Sequence, residues 1–289
     1  MDEATVERSV ERAQEDERFT SVIVQRNAEA RRHPDDILQL AIHEGHQQCQ
    51  RSSWGLGLSA VAAGLTVGSS AMAVGVVTAL HASGELDVPL RIAQALVYPT
   101  GFVVCVISAT ELFTEHTATA LYPALDRRSS LCDVVRVWAV VLIGNLLGTL
   151  LSAGMLALAE PVIGAASGYA EIAHHLSSFS ALALFSSAVL AGWLMAMGAW
   201  LILATPPGFA QIAAIYTVTF LIGLGGLHHS IAGTAEALVA WMVTDALTLP
   251  QVFRFTAIAA PGNLVGGSIF VAVLNYGHIR SVEHAQGLP

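Results

Sequence analysis

The stretch "GLGGLHHSIAGTAEAL" (residues 223–238) places two histidines, His228 and His229, and one carboxylic acid, Glu236, beside a very apolar part of the chain. Residues 176–227, which lead into it, contain no Asp, Glu, Lys or Arg. Several glycines surround the histidines, and glycine weakens a helix. Ionisable groups are costly in such surroundings, so we expect them to serve a function there.

The rest of the chain has the same division into apolar and charged segments. Only 12% of its 289 residues are charged and 54% are hydrophobic, whereas about a quarter of the residues in a soluble domain are charged. About 20 apolar residues cross a bilayer, and the longest uncharged run is divided by the prolines of "ATPPGF" (204–209) into two such lengths. The sequence therefore predicts an all-α integral membrane protein with six spans over 54–277. The uncharged runs cover 54–80, 92–110, 137–159, 176–227 and 255–277.

The segments outside the spans predict the topology. Residues 1–33 mix eight acids with six arginines and are expected to form a disordered tail without a signal peptide. Residues 34–53 begin with Pro and Asp and are expected to form an amphipathic helix at the membrane surface, and residues 278–289 a C-terminal tail. Arginines favour the cytoplasmic side, so we expect an inner-membrane protein with both termini in the cytoplasm. With this orientation the cytoplasmic ends hold Arg51, Arg127, Arg128, Arg136 and Arg280, and the opposite side holds Arg91 and Arg254.

Two halves of the chain repeat each other. "GNLLGTLLSAGML" (144–156) resembles "GNLVGGSIFVAVL" (262–274), and "TELFTEHTATALYPAL" (110–125) takes the place that "LHHSIAGTAEALVAW" (227–241) has in the second half. Three spans in each half make this an inverted repeat. Polar residues or glycines interrupt the second span near 111–117 and the fifth near 225–234. Breaks at matching places predict the path of a substrate.

Several other classes of protein are excluded or disfavoured. "HEGH" (43–46) lacks the His-Glu-x-x-His spacing of a zinc protease, and the chain has no phosphate loop or nucleophile–base pair, so we expect no enzyme, metal or cofactor. The net charge of −9 excludes a nucleic-acid partner. The three cysteines have no paired spacing. Gly64 and Gly68 have the spacing of close helix packing.

The motifs together resemble those of the formate/nitrite transporter family. They are "ELFT" (111–114), "HHSIAG" (228–233) and the "GN" pairs at 144–145 and 262–263, and the resemblance covers roughly residues 34–278. It implies an aquaporin-like protomer with broken second and fifth spans, assembled as a homopentamer with one pore in each protomer. It also implies a pore lined by the central histidine His229, by the loop residues Leu112, Phe113 and Thr114, by the constricting Phe102, by Ile222, and by Asn145 and Asn263.

The chain departs from the family at charged positions. It contains no lysine, although the family has one in the outer vestibule, at a position that aligns near Leu176. The nearest basic groups here are His174 and His175. Gly192 and Gly233 replace family asparagines, His228 replaces an acid, and Glu115 and Glu236 are added. The groups that we expect to modulate the charge of the pore are Glu111, Glu115, Glu236, His174, His175 and His228.

Three interpretations remain open. In the first, the protein passes a small monovalent weak-acid anion such as formate or nitrite, with proton linkage through His229. In the second, the added acids favour a weak base, a cation or a neutral polar solute. In the third, Phe102, Phe113 and Ile222 block the path, and the protein is a closed, non-conducting membrane protein. The expected partners are the lipid bilayer, a small ionic substrate, the proton and further copies of the chain.

Overall fold

The computed structural model describes residues 32–285, and the predicted tail 1–33 lies almost entirely outside them. Every regular element of the described part is helical. The elements are α1 (Pro34–Gln50), α2 (Ser53–Ala82), α3 (Leu90–Val97), α4 (Thr100–Ile107), α5 (Phe113–Thr119), α6 (Tyr122–Leu125), α7 (Leu131–Leu158), α8 (Glu160–Ile163), α9 (Ala166–Ser177), α10 (Ala181–Ala204), α11 (Phe209–Gly225), α12 (Ser230–Val243), α13 (Leu249–Gly267), a π-helical segment (Ser268–Val273) and α14 (Leu274–Ala285).

The described residues contain six candidate membrane spans. Five are long and apolar enough by themselves: α2, the α3–α4 segment, α7, α10 and the segment Leu249–Ser281. Helices α11 and α12 qualify only together, as a pair bent by 53°. The predicted all-α six-span architecture is therefore confirmed, and α11 is separated from α10 at the predicted double proline. The break in the fifth span covers only 226–229, so it is shorter than the predicted 225–234.

The break in the second span lies earlier than predicted. Residues 108–112 are not helical, whereas 113–119 form α5, so the prediction of a break at 111–117 is wrong for its last five residues. The chain leaves helical geometry at Ala109, which has a φ of 51°, and the hydroxyl of Thr110 donates to the carbonyl of Cys105. Thr114, His116 and Thr117 stay helical because they find partners inside the fold. Thr117, for example, donates its hydroxyl to the carbonyl of Thr114 at 2.8 Å.

The inverted repeat appears in how the spans pack. In the first half, α2 approaches α7 so closely that a Cβ on Gly64 would overlap the backbone of Asn145. In the second half, α10 approaches α13 in the same way, and a Cβ on Gly192 would overlap the backbone of Asn263. Gly64 therefore has the predicted packing role. Gly192, which stands where the family has a pore asparagine, is a packing position too.

Helix α1 covers one end of the bundle. It begins with Pro34 at its first turn, followed by two aspartates, a composition that favours a helix N-terminus. Its buried face, which includes Leu38 and Ile42, packs with residues of α5, α6, α10 and the last span in one apolar cluster. The last span continues as helix to Ala285, past the predicted start of the C-terminal tail at 278.

Candidate pore and its flanking cavities

Two buried asparagines fix the two breaks. The side-chain oxygen of each accepts the N–H of the first residue of the helix after a break, and its amide nitrogen donates to two backbone carbonyls. All hydrogen-bonding groups of both amides are therefore used on the backbone, and we interpret Asn145 and Asn263 as positioning residues of the pore. Asn145 bonds Phe113 N (2.8 Å), Ala60 O (2.8 Å) and Glu111 O (2.9 Å), and Asn263 bonds Ser230 N (2.7 Å), Ala188 O (2.7 Å) and His228 O (3.1 Å).

His229 is the N-cap of α12 and is 1% exposed. Its Nδ1 accepts the backbone N–H groups of Ile231 and Ala232, each at 3.2 Å. A neutral imidazole has one N–H and one acceptor nitrogen. Because Nδ1 is the acceptor, the proton is on Nε2, which lies 2.9 Å from the hydroxyl oxygen of Thr114. His229 thus donates to Thr114 across the two halves of the chain.

A layer of buried side chains surrounds this hydrogen bond. The ring of Phe102 meets the ring of His229 edge-on, with the centroids 5.0 Å apart. We call this group the barrier layer. It consists of the predicted pore residues Phe102, Leu112, Phe113, Thr114, Ile222 and His229, each of which is at most 2% exposed.

A cavity of about 310 Å³ opens on one side of the barrier layer, and we call it the His229 cavity. His229 and Ile222 belong to its wall. Three groups that the sequence analysis expected near the pore, His175, His228 and Glu236, also line it. Its other polar or charged lining residues are Arg91, Gln94, Tyr98 and Glu171.

A second cavity, of about 340 Å³, lies on the side of helix α1, and we call it the Glu115 cavity. The barrier layer lies between the two cavities along the second broken span. Tyr98 lines the His229 cavity and Cys105 the Glu115 cavity, with Phe102 between them in the chain. Thr114 bonds His229 on one side, while the next residue, Glu115, lines the other cavity. Further polar lining residues are Glu44, Gln48, Thr110, Glu111, His116 and Gln211.

Glu111 forms a buried ion-pair network. One carboxylate oxygen accepts from Arg51 and, at 3.1 Å, from Gln48, and the other accepts from His116. The side chain of Glu111 is 8% exposed. Through Gln48 and Arg51, Glu111 connects the end of α1 to the second span. Arg51 balances the charge of Glu111 locally, as a buried charge requires.

The other predicted histidines differ in their surroundings. The Nδ1 of His228 lies 2.8 Å from the hydroxyl of Ser187, and its ring stacks on that of His175 with the centroids 5.6 Å apart. His228 thus packs against His175 and bonds Ser187 at the wall of the His229 cavity. Burial lowers the pKa of His175 below its usual value, and the charge of Arg91 acts in the same direction, while a hydrogen bond with the backbone of Gly226 and the charge of Glu171 oppose it. His174 is exposed at the end of α9 and does not line the His229 cavity.

Sequence reasoning did not assign three charged lining residues to the site, Arg91, Glu171 and Glu44. Arg91 entered that reasoning only as a marker of topology, but its guanidinium lies against Gly226 at the break of the fifth span. The signal was present, because Arg91 is the charge that immediately precedes the uncharged run of the second span. Among residues 32–285, no three His, Cys, Asp or Glu side chains come together as a metal site.

Comparisons with known proteins agree on one family. Residues 35–277 match the family model described as "Formate/nitrite transporter". The chain is 30% identical over 253 residues to "Inner membrane protein YfdC" of Escherichia coli K12, covering 84% of this chain and 79% of that protein. It is 26% identical over 203 residues to the "Probable formate transporter" of Methanothermobacter thermautotrophicus, covering 64% of this chain and 74% of that protein.

Two solved structures have a similar fold. An "FNT family ion channel" superposes with a TM-score of 0.77 at 20% identity, covering 84% of this chain and 99% of that one. A "Pentameric formate channel with formate bound" superposes with a TM-score of 0.66 at 20% identity, covering 78% and 96%.

Proposed function

Because the chain belongs to the formate/nitrite transporter family, a family of membrane channels and transporters rather than enzymes, we propose that it passes a small monovalent weak acid, such as formate or nitrite, together with a proton. The observation that carries this proposal is the barrier layer. Within the described part of the chain, its polar side-chain contact across the two halves is the bond from His229 to Thr114, and a cavity lies on each side of it. An ion in such a layer is far more costly than a neutral acid.

The hydrogen bonds of His229 favour a role as a hydrogen-bond donor to the substrate over a role as a proton carrier. To become imidazolium, His229 would need a proton on Nδ1, which already accepts from Ile231 and Ala232. Protonation would thus break both capping bonds and add a charge inside the layer. The Nε2–H and the Thr114 hydroxyl can instead exchange their mutual bond for bonds to the oxygens of a passing acid. In this proposal His229 binds the passing acid but does not carry its proton. It therefore replaces the proton linkage through His229 that we expected from the sequence.

We extend the proposal to assembly and orientation. The "Pentameric formate channel with formate bound" shares the fold, and exposed apolar side chains such as Leu147 and Leu151 on α7 offer surfaces for neighbouring copies or lipid, which supports a homopentamer in the inner membrane. The arginine distribution supports cytoplasmic termini. With that orientation the Glu115 cavity faces the cytoplasm and the His229 cavity faces outward.

The acidic residues that line the cavities favour one alternative class of substrate, a weak base. Glu171 and Glu236 line the His229 cavity, and in the Glu115 cavity the acids Glu44, Glu111 and Glu115 outnumber the one basic lining residue, His116. Ionised carboxylates repel anions and attract cations. On that account the substrate would be a weak base, such as methylammonium.

Uptake of solutes into proteoliposomes distinguishes the weak-acid proposal from the weak-base alternative. Formate and nitrite uptake through the wild-type protein should rise as the outside solution is made more acidic, beyond the rate in protein-free vesicles. His229→Asn should keep part of this uptake, because asparagine still offers an N–H donor. Methylammonium uptake that rises at alkaline outside pH would favour the weak base. If the protein accelerates none of these solutes, the closed, non-conducting interpretation replaces the proposal.

A further inference from the structure

One carboxyl group faces each cavity on either side of the barrier layer. Glu236 lies two helical turns after His229 on α12, is 8% exposed, and lines the His229 cavity. Glu115 follows Thr114 directly and lines the Glu115 cavity, with its Oε1 buried and without a hydrogen-bond partner. Glu236 therefore shares a cavity with His229, and Glu115 directly follows Thr114 in the chain. His229 and Thr114 are the two groups that bond inside the barrier layer.

Neither carboxyl group is stabilised as a carboxylate. Among residues 32–281, neither Glu115 nor Glu236 forms a side-chain hydrogen bond or an ion pair. Glu111 is the internal comparison, since it accepts bonds from Arg51, His116 and a glutamine. Burying a carboxylate without donors is far more costly than burying the neutral acid. Glu115 and Glu236 are thus suited to hold a proton, and Glu111 is not.

Other ionisable groups face these two acids. The imidazole of His229 uses both nitrogens, whereas His228 bonds Ser187 through Nδ1 and has its Nε2 buried without a partner in the same cavity as Glu236. Arg91, Glu171 and His175 lie with Glu236 in its cavity, and Tyr98 and Tyr169 lie within electrostatic range of it. The groups facing Glu115 are Glu44, Cys105, Glu111 and His116.

We propose that Glu236 and Glu115 are the groups that exchange protons with the substrate on the two sides of the barrier layer, an inference that rests on the proposed weak-acid transport. For inward movement, the O–H bond of Glu236 breaks and a new O–H bond forms on the carboxylate of formate. The neutral formic acid crosses the layer past His229 and Thr114. On the far side Glu115, as a carboxylate, takes the proton, and formate leaves as an anion. Water in each cavity resets the two glutamates, so no other reactant is needed.

The positions of the two acids fit this sequence of steps. Glu236 is seven residues beyond His229, the N-cap of α12, and both residues line one cavity. Glu115 is adjacent to the hydroxyl that His229 bonds. Each substrate molecule therefore meets a carboxyl group, the layer, and a second carboxyl group in order, in either direction.

Glutamine substitutions test the proposal. Glu236→Gln and Glu115→Gln keep the shape of the side chain and remove its proton, and proton transfer by a positioned group contributes about a hundredfold or more to a rate. We expect each variant to lose pH-dependent formate uptake by about that factor. The matched controls are Glu85→Gln and Asp245→Asn, which remove exposed carboxylates that line neither cavity and should keep the wild-type rate and pH profile.

Two further measurements distinguish a loss of proton transfer from a loss of folding. The glutamine variants should unfold at the wild-type temperature, because neither carboxyl group makes a hydrogen bond that would be lost. Glu236→Asp, which retains a proton, should restore part of the uptake, and an aspartate variant as slow as the glutamine variant would overturn the proposal. Wild-type pH profiles in both glutamine variants would also overturn it and would leave weak-acid transport standing. Absence of weak-acid uptake by the wild type would instead refute the proposed function.

Discussion

The cap that His229 provides predicts a difference between two substitutions at one position. His229→Ala removes the bond to Thr114, the ring contact with Phe102 and the acceptor for the N–H groups of Ile231 and Ala232. His229→Asn also removes the ring, but asparagine is among the best N-cap residues. The two variants thus share the lost packing and differ mainly in the cap.

The size of the difference follows from the buried amides. Losing an N-cap costs about 0.5–2 kcal/mol, and leaving a buried N–H unsatisfied costs about 1–3 kcal/mol. We therefore expect His229→Ala to be less stable than His229→Asn by about 1–3 kcal/mol. At roughly 2–4 °C for each kcal/mol in a chain of this size, the alanine variant should unfold several degrees below the asparagine variant.

Thermal unfolding of the purified protein in detergent, followed by tryptophan fluorescence, measures this difference. His174→Ala is the control, because His174 is exposed and should leave the midpoint unchanged. Equal midpoints for His229→Ala and His229→Asn would show that the cap contributes nothing. The acceptor role of Nδ1, and with it the assignment of the Nε2 proton, would then be refuted.

Three further predictions concern packing, the buried ion pair and topology. Gly192→Ala should destabilise the protein by about 1–3 kcal/mol through overlap with the facing span, whereas Gly154→Ala, whose Cβ would meet nothing within 4 Å, should stabilise it by up to about 1 kcal/mol; equal melting temperatures would contradict this. Arg51→Gln should destabilise the protein by about 1–2 kcal/mol, since Arg51 is 39% exposed and Glu111 keeps Gln48 and His116 as partners, and Glu111→Gln in the same chain should recover most of the loss; no recovery would contradict the pairing. An impermeant maleimide should label Cys132, the exposed cysteine among the described residues, from the cytoplasmic side only, and labelling from outside would reverse the proposed orientation.

The architecture could be predicted from the sequence because it depends on local patterns. Charge-free runs of bilayer length and a double proline were enough for six spans, and the paired "GN" motifs were enough for the inverted repeat. The break in the second span was placed too late for a physical reason. Polar residues such as Thr114 and His116 suggested a break, but they stay in a helix because His229 in the other half and the nearby Glu111 satisfy them.

The chemistry of the site was less accessible because it depends on pairs that are far apart in the chain. The bond between Thr114 and His229 joins residues 115 positions apart, and the ion pair of Glu111 with Arg51 joins residues 60 apart. No single-sequence pattern indicates which nitrogen of His229 is an acceptor. Arg91 was overlooked for the same reason, since only the folded chain brings it to Gly226.

The central claim is that the substrate crosses the barrier layer together with a proton. The most direct measurement is the internal pH of proteoliposomes, reported by a trapped dye, while labelled formate enters and membrane potential is monitored. We predict that the interior acidifies in a ratio of about one proton per formate, faster than in protein-free vesicles, with no change in membrane potential that follows from formate entry. Formate entry that leaves the internal pH unchanged and makes the interior electrically negative would show that the anion crosses alone, and would contradict the account.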